Sequence, residues 1–266
     1  MVEPFDAWVG RSIEAIDTVT AAPLDRLAAT LDRDRAHWPA GELPPLGHWL
    51  FHLPDAPQSK LGADGHPAKG DDGGFMPPIP HPRRMWAGGR LHFLAPVPIG
   101  AVLVKRTTIT SIIDKGGMIF VTLLHQIMAD GVTAIEEEQD VVYLPIAAPS
   151  PPKSVDRPAP DSTRELRIDA PLLFRFSALT FNAHRIHYDL AYARDVELYP
   201  ALVVHGPLQA MVLLDHAMRE GVRPNRFAFR ARAPLYAGRH VTIARAGESL
   251  WVRDETGTVT MTATIT

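Results

Sequence analysis

The 266-residue sequence contains no cysteine, so it can have no disulfide framework, thiolate nucleophile or Cys-ligated zinc. No stretch approaches the roughly 18 apolar residues of a membrane-spanning helix. Its opening residues have an early acid and no basic stretch ahead of an apolar one, unlike a secretory signal. A soluble, unexported, cytoplasmic chain is the expectation. Charge is modest: 27 basic and 30 acidic residues leave a formal -3, which argues against a general nucleic-acid binder. Lysine is scarce, so the basic residues are mostly arginine, the side chain suited to forked contact with phosphate and carboxylate. What is present is globular: 46% hydrophobic and 21% charged residues supply a sizeable core.

The length suits two modest domains. Between Pro145 and Pro160 six residues are proline, a stretch unable to form helix or central strand. It places a linker at 145–162, a first domain at 1–144 and a second at 163–266. The halves are alike in two places. Residues 28–38 lie on 178–188, matching Ala28 with Ala178, Thr30 with Thr180, Arg35 with Arg185 and His37 with His187. Further on, 90–98 lie on 226–234, matching Arg90 with Arg226, Phe93 with Phe229, Ala95 with Ala231 and Pro98 with Pro234. Two ordered matches indicate a tandem repeat.

In the second half, Gly206-Pro207 opens a helical pattern that ends at Gly221, with proline at its start and glycine past its end. Leu208, Ala210, Met211, Val212, Leu213 and Leu214 surround most of its circumference with apolar groups, so this helix should be enclosed by a sheet. Short β-rich runs at 227–232, 240–244, 249–253 and 259–265 supply one. The first half repeats the series at 91–93, 102–113, 118–128 and 133–143, with a Gly116-Gly117 hairpin signal and a short helix expected at 46–53. One enclosed helix per curved sheet, present twice, is the α+β architecture inferred. Residues 54–89 show no period and read as a long loop, ending in the cations Arg83 and Arg84 and the aromatic Trp86.

The densest chemistry is at 180–189, where Asn182, His184, Arg185, His187, Tyr188 and Asp189 follow Thr180. A metal reading of His184-x-x-His187 lacks a second ligand cluster, and acid-base work suits the set better. Then comes His205-Gly206-Pro207, where the enclosed helix begins and presents unpaired N–H groups. A carbonyl oxygen held by the Gly206 N–H would have its developing negative charge stabilised, an effect of about 2.7–4 kcal/mol.

With these motifs in place, 176–189, 204–209 and 82–89 resemble the MaoC-like, double hotdog hydroxyacyl-thioester dehydratases. They look most like the branch containing mesaconyl-C4-CoA (3-methylfumaryl-CoA) hydratase, itaconyl-CoA hydratase and the mitochondrial 3-hydroxyacyl-thioester dehydratase. The resemblance covers nearly the whole chain. It implies a hotdog fold in each half, reversible hydration of an enoyl-CoA, an acyl-CoA thioester as partner, and no cofactor beyond the substrate's own CoA. The family motif is Asp-x-Asn-Pro-x-His. Asn182 and His187 match it, but two extra residues separate them, Ala183 replaces the proline and Thr180 occupies the Asp position.

On this basis His187 is expected to activate water, Asn182 to orient it and Gly206 to hold the carbonyl oxygen, with the acid partner open among Asp189, Tyr188 and His184. Arg185, Arg83 and Arg84 are candidates for a second substrate carboxylate or the CoA phosphates, with His205 and Trp86 as further substrate-binding candidates. One working site per chain and possible homo-oligomers are expected. A hotdog acyl-CoA thioesterase and a silent acyl-CoA or acyl-carrier binding module are the rival readings. Arg230, Arg232, Arg239 and the acidic run 136–140 read as solvated strand faces.

Overall fold

The computed structural model describes residues 5–68 and 74–266. The first half supplies β1 (Ser12–Thr18), α1 (Ala21–Thr30), β2 (Arg83–Phe93), β3 (Val102–Lys115), β4 (Met118–Ala129) and β5 (Val132–Leu144). The second supplies β6 (Ser162–Ile168), α2 (Ala170–Leu179), α3 (Gly206–Arg219), β7 (Arg226–Ala231), β8 (Arg239–Ala246), β9 (Ser249–Asp254) and β10 (Val259–Ile265). The strands form one sheet in the order β1-β3-β4-β5-β2-β7-β10-β9-β8-β6. From each outer edge inward the order is the half's first, third, fourth, fifth and second strand. This is the double hotdog α+β fold.

The halves join where β2 pairs antiparallel with β7, Leu91 opposite Phe227. The sequence repeat equates these same two residues, so a pseudo-twofold axis passes between them. Close approach here depends on glycine: a Cβ at Gly88 would stand 2.6 Å from the Phe229 carbonyl oxygen. Arg83, Arg84 and Trp86 therefore lie on a bulged strand, not on the loop expected through residue 89. The paired glycines and the bulge hide the alternation that marks a strand.

Helix α3 is enclosed as expected. Its residues from Leu208 to Ala217 are all buried, and it packs on β7 to β10 and on β2. Pro207 lies in its first turn and Gly221 follows it at φ +84°. Among the described residues the first half has no counterpart: the expected helix at 46–53 is a single 3-10 turn, Gly47–Leu50. Leu46 takes a left-handed φ of +66° directly after Pro44-Pro45, and the turn it opens ends at Phe51, whose backbone is extended.

The short helices α1 and α2 were not expected from the pattern. Leu24, Leu27 and Ala28 give α1 its buried face, and Asp169 caps α2 by accepting from the Leu172 N–H at 3.1 Å. The repeated segment falls at their C-terminal ends. Each is followed by a 3-10 turn, Arg35–His37 in the first half and Arg185–His187 in the second.

The stretch 145–161 has neither helix nor strand, and its Val155 packs against Trp251 on the outer face of the second half. Phe75, Met76 and Ile79 cover the outer face of the first. No helix among the described residues is long and apolar enough to cross a membrane.

Candidate active site

A cavity of about 930 Å³ opens over the first half's strands and runs to the start of α3. Trp49, Lys105, His125 and Glu137 line it on the first-half side, Arg84 and Trp86 on β2, and Thr180, Asn182, Tyr188 and Pro207 on the second-half side. Phe174 and Phe181, also in its wall, are 68% and 63% exposed, and they offer flat apolar surface.

Behind the second-half wall four imidazoles touch in series. The His66 ring centroid is 4.1 Å from His184, His184 is 5.4 Å from His187, and His187 stacks on His205 at 3.6 Å and 20°. His205 immediately precedes Gly206, so the stack sets His187 beside the N-terminus of α3. His187 Nδ1 lies 2.7 Å from the Val203 carbonyl oxygen. A carbonyl only accepts, so Nδ1 carries the hydrogen and Nε2 keeps a lone pair. Burial, then the His205 and His184 rings, hold this imidazole well below its usual range, against the Val203 hydrogen bond. Burial likewise pushes His205 down to about 3, and its Nε2 meets Ser177 Oγ at 2.8 Å.

His66 reaches this group from the other half. The segment 60–68 is stapled by Gly62 N–H to His66 O (2.7 Å) and Ala68 N–H to Lys60 O (2.8 Å). It docks on the 182–185 turn: Arg185 N–H donates to Asp64 O at 2.9 Å, and Arg185 Nη1 donates to Ala63 O at 3.1 Å. Gly65, at φ +88°, sits so close that a Cβ would fall 1.9 Å from Ala183 O. His66 Nδ1 lies 2.9 Å from Asp64 Oδ2. Burial raises the Asp64 pKa, but its hydrogen bonds and attraction to His66 outweigh that and hold it at about 2. Burial, with Arg84 and His184 nearby, lowers His66 to about 4 against the pull of Asp64.

The remaining expected residues are dispersed by their partners. His184 Nε2 binds Glu197 Oε1 at 3.1 Å. Arg83 is 4% exposed and spent on that same Glu197 side chain (3.3 Å) and backbone, and on Ala147 O (2.9 Å). Arg185 donates twice to Asp189 Oδ2, at 3.0 and 2.7 Å. Asp189 also accepts from the Tyr192 N–H, so the structure withdraws Arg83 and Arg185 as free anion receptors and Asp189 as acid partner. Tyr188 OH donates to Ala183 O at 3.1 Å. Asn182 Oδ1 accepts from the His184 N–H at 2.9 Å, which leaves its NH₂ as its available donor. Trp86 Nε1 donates to Gly88 O.

Glu137 corrects the reading of 136–140 as a solvated face. It is 3% exposed and accepts from His48 Nε2 at 2.9 Å and Trp49 Nε1 at 3.1 Å. Burial raises its pKa, but those donors outweigh it and hold the carboxyl below its usual range. Asp64, His66 and His184 bring possible metal-ligand atoms within 4.8 Å of one another. Asp64 and His66 are already bonded to each other, and His184 to Glu197. Asp64 and His66 themselves escaped notice in the sequence because Asp-Gly-His-Pro looks like any turn, and their partner lies more than a hundred positions away.

The sheet order and the enclosed α3 define a double hotdog protein with a histidine-lined approach to the N-terminus of that helix. Residues 45–237 match the family model described as hydroxyacyl-thioester dehydratase type 2, and the chain belongs to that family. It is 47% identical over 239 residues to the mesaconyl-C(4)-CoA hydratase of Chloroflexus aurantiacus, covering 86% of this chain and 84% of that one. It is 26% identical over 283 residues to the mitochondrial hydroxyacyl-thioester dehydratase type 2 of Schizosaccharomyces pombe, covering 89% and 91%. A MaoC-like dehydratase structure from Phytophthora capsici shares the fold with a TM-score of 0.75 at 14% identity, over 100% of this chain and 98% of that one.

Proposed function

We propose that this protein reversibly adds water to a short α,β-unsaturated dicarboxylyl-CoA, a mesaconyl-C4-CoA or itaconyl-CoA type of ester. The observation that carries the reading is that the stacked His187–His205 pair lies at the N-terminus of α3, directly behind an acyl-sized cavity that Pro207, Asn182 and His66 line. The thioester carbonyl oxygen accepts from the Gly206 N–H, for which no acceptor is found among the described residues. The attacking water is held by His187 Nε2 and steadied by the Asn182 NH₂. As oxygen adds to the β-carbon, charge moves onto the thioester oxygen, where the preset N–H and the positive end of α3 meet it.

Arg84 supports a second carboxylate on the acyl group. It lines the cavity, acts electrostatically on His66 and has no carboxylate partner among the described residues. The 47% identical relative, a hydratase of such an ester, supports the same substrate class. The test is to offer crotonyl-, mesaconyl- and itaconyl-type CoA esters side by side. Enoyl absorbance should disappear without release of free thiol, fastest with a dicarboxylyl ester. Thiol release would indicate a thioesterase, and binding without turnover across the panel a silent module.

A further inference from the structure

We infer that His66, set by Asp64, is the proton-transfer residue of this site, supplied to the second half by the first. The inference rests on the hydratase reading and adds to it the proton-transfer group that this chain lacks at the motif's Asp position. Thr180 stands where the motif has its carboxylate, and its hydroxyl is spent on Phe176 O at 2.8 Å. A proton must nevertheless leave the water and reach the α-carbon.

His187 is a poor resting place for that proton. It is buried, stacked on one imidazole and edge-on to another, and no carboxylate touches its ring. His66 is the only one of the four touching imidazoles whose atoms line the cavity. A carboxylate lies 2.9 Å from its Nδ1, so Nδ1 carries the hydrogen, Nε2 keeps its lone pair, and Asp64 stands ready to balance an imidazolium. The loop is held for this: Gly65 packs on Ala183 O, and Arg185 donates to both Asp64 O and Ala63 O.

The step balances. His66 Nε2 takes one hydrogen of the water as the freed O–H pair forms the bond to the β-carbon. The π pair shifts toward the thioester, whose oxygen becomes an enolate at the Gly206 N–H. The enolate pair then re-forms the carbonyl while the α-carbon takes the proton from His66 Nε2, which returns to neutral. The second hydrogen of the water stays on the new hydroxyl oxygen. One centre on one side of the acyl chain makes the addition syn.

His66 touches the reacting atoms and is a catalytic residue, while Asp64 acts through it and is a positioning residue. The groups facing His66 are Asp64 on its own loop, Arg84 on β2, and His184 and His187 from the 183–188 turn. The test compares His66→Ala, His66→Gln and Asp64→Asn in the full chain, with steady-state kinetics against pH and α-carbon deuterium incorporation from heavy water. Both His66 variants should lose about 10²- to 10⁴-fold in kcat with KM little changed and deuterium incorporation slowed in step. Asp64→Asn should lose less and move the acid limb of kcat/KM to lower pH, because a neutral amide no longer favours the imidazolium. A folded His66→Ala or His66→Gln with at least half the wild-type kcat would overturn the inference. So would an Asp64→Asn profile of unchanged shape, or activity lost to a chelator and restored by Zn²⁺. If His187→Ala alone abolishes turnover, the hydratase reading stands without this inference. If no enoyl-CoA ester is hydrated by the wild type, the reading itself fails.

Discussion

The two halves share strand order, a short helix and a 3-10 turn, and differ most in the central helix. The second half encloses the fourteen-residue α3, whereas the first has a four-residue turn, Gly47–Leu50, in the corresponding stretch of chain. The cavity lies over the first half's strands, lined by His48, Trp49 and residues of β3 to β5. Loss of the helix in one copy thus leaves space for an acyl chain, and the surviving helix offers its N-terminus to the end of that space. A duplicated fold has divided binding volume and electrostatic donor between its copies.

The largest expected effect tests this division of labour on the donor side. His187→Ala should lower kcat by about 10²- to 10⁴-fold while a non-reactive acyl-CoA still binds, as measured by calorimetry. Retention of most turnover would remove His187 from the account. Next comes the tie between the copies. Asp215 on α3 is 4% exposed and pairs with Arg33 (3.5 Å), Arg164 (2.8 Å) and Arg219 (2.7 Å). Asp215→Ala leaves Arg33 buried without a counter-charge and should cost about 3–5 kcal/mol in urea unfolding. A loss below about 1 kcal/mol would show that the pairing is incidental.

On the cavity side, Arg84→Leu removes a charge-assisted contact of about 1.5–3 kcal/mol. It should raise KM for a dicarboxylyl-CoA by about tenfold or more, with crotonyl-CoA far less affected. Equal effects on both esters would place Arg84 at the CoA moiety instead. A separate expectation concerns stability against pH. His66, His187 and His205 are held below their usual pKa in the folded chain, His66 at about 4 and His205 at about 3. The unfolded chain therefore binds more protons once pH falls below about 6.5. Their contribution is full above that pH and is lost on acidification toward pH 4. Thermal midpoints should fall steadily over that window, and a flat profile would contradict the buried neutral state of the cluster.

Much of the fold could be read locally. Proline and glycine bracket α3, and Gly116-Gly117, both at positive φ, close the β3–β4 hairpin as their spacing suggests. The repeat also located the pseudo-dyad pair Leu91 and Phe227. Other features depended on distant contacts. β2 was obscured because Gly88 and Gly89 gain their meaning only against Phe229, and α1 is too short to declare its period.

The site divides in the same way. His187, Asn182 and Gly206 lie in or beside recognisable motifs; Asn182 lines the cavity, and His187 and Gly206 lie behind its wall. Arg83 and Arg185 read as free cations because Glu197 and Asp189 cannot be assigned to them from residue type. Asp64 and His66 join the site only through tertiary docking, and Glu137 looked solvated until β5 turned it inward to His48 and Trp49.

The most direct measurement is mass spectrometry of the products formed from a mesaconyl-C4-CoA type of ester in ¹⁸O-labelled water. The account predicts an intact CoA thioester carrying one labelled hydroxyl on the acyl chain, formed by the wild type and not by His187→Ala. Free CoA together with label in a released carboxylate would contradict it.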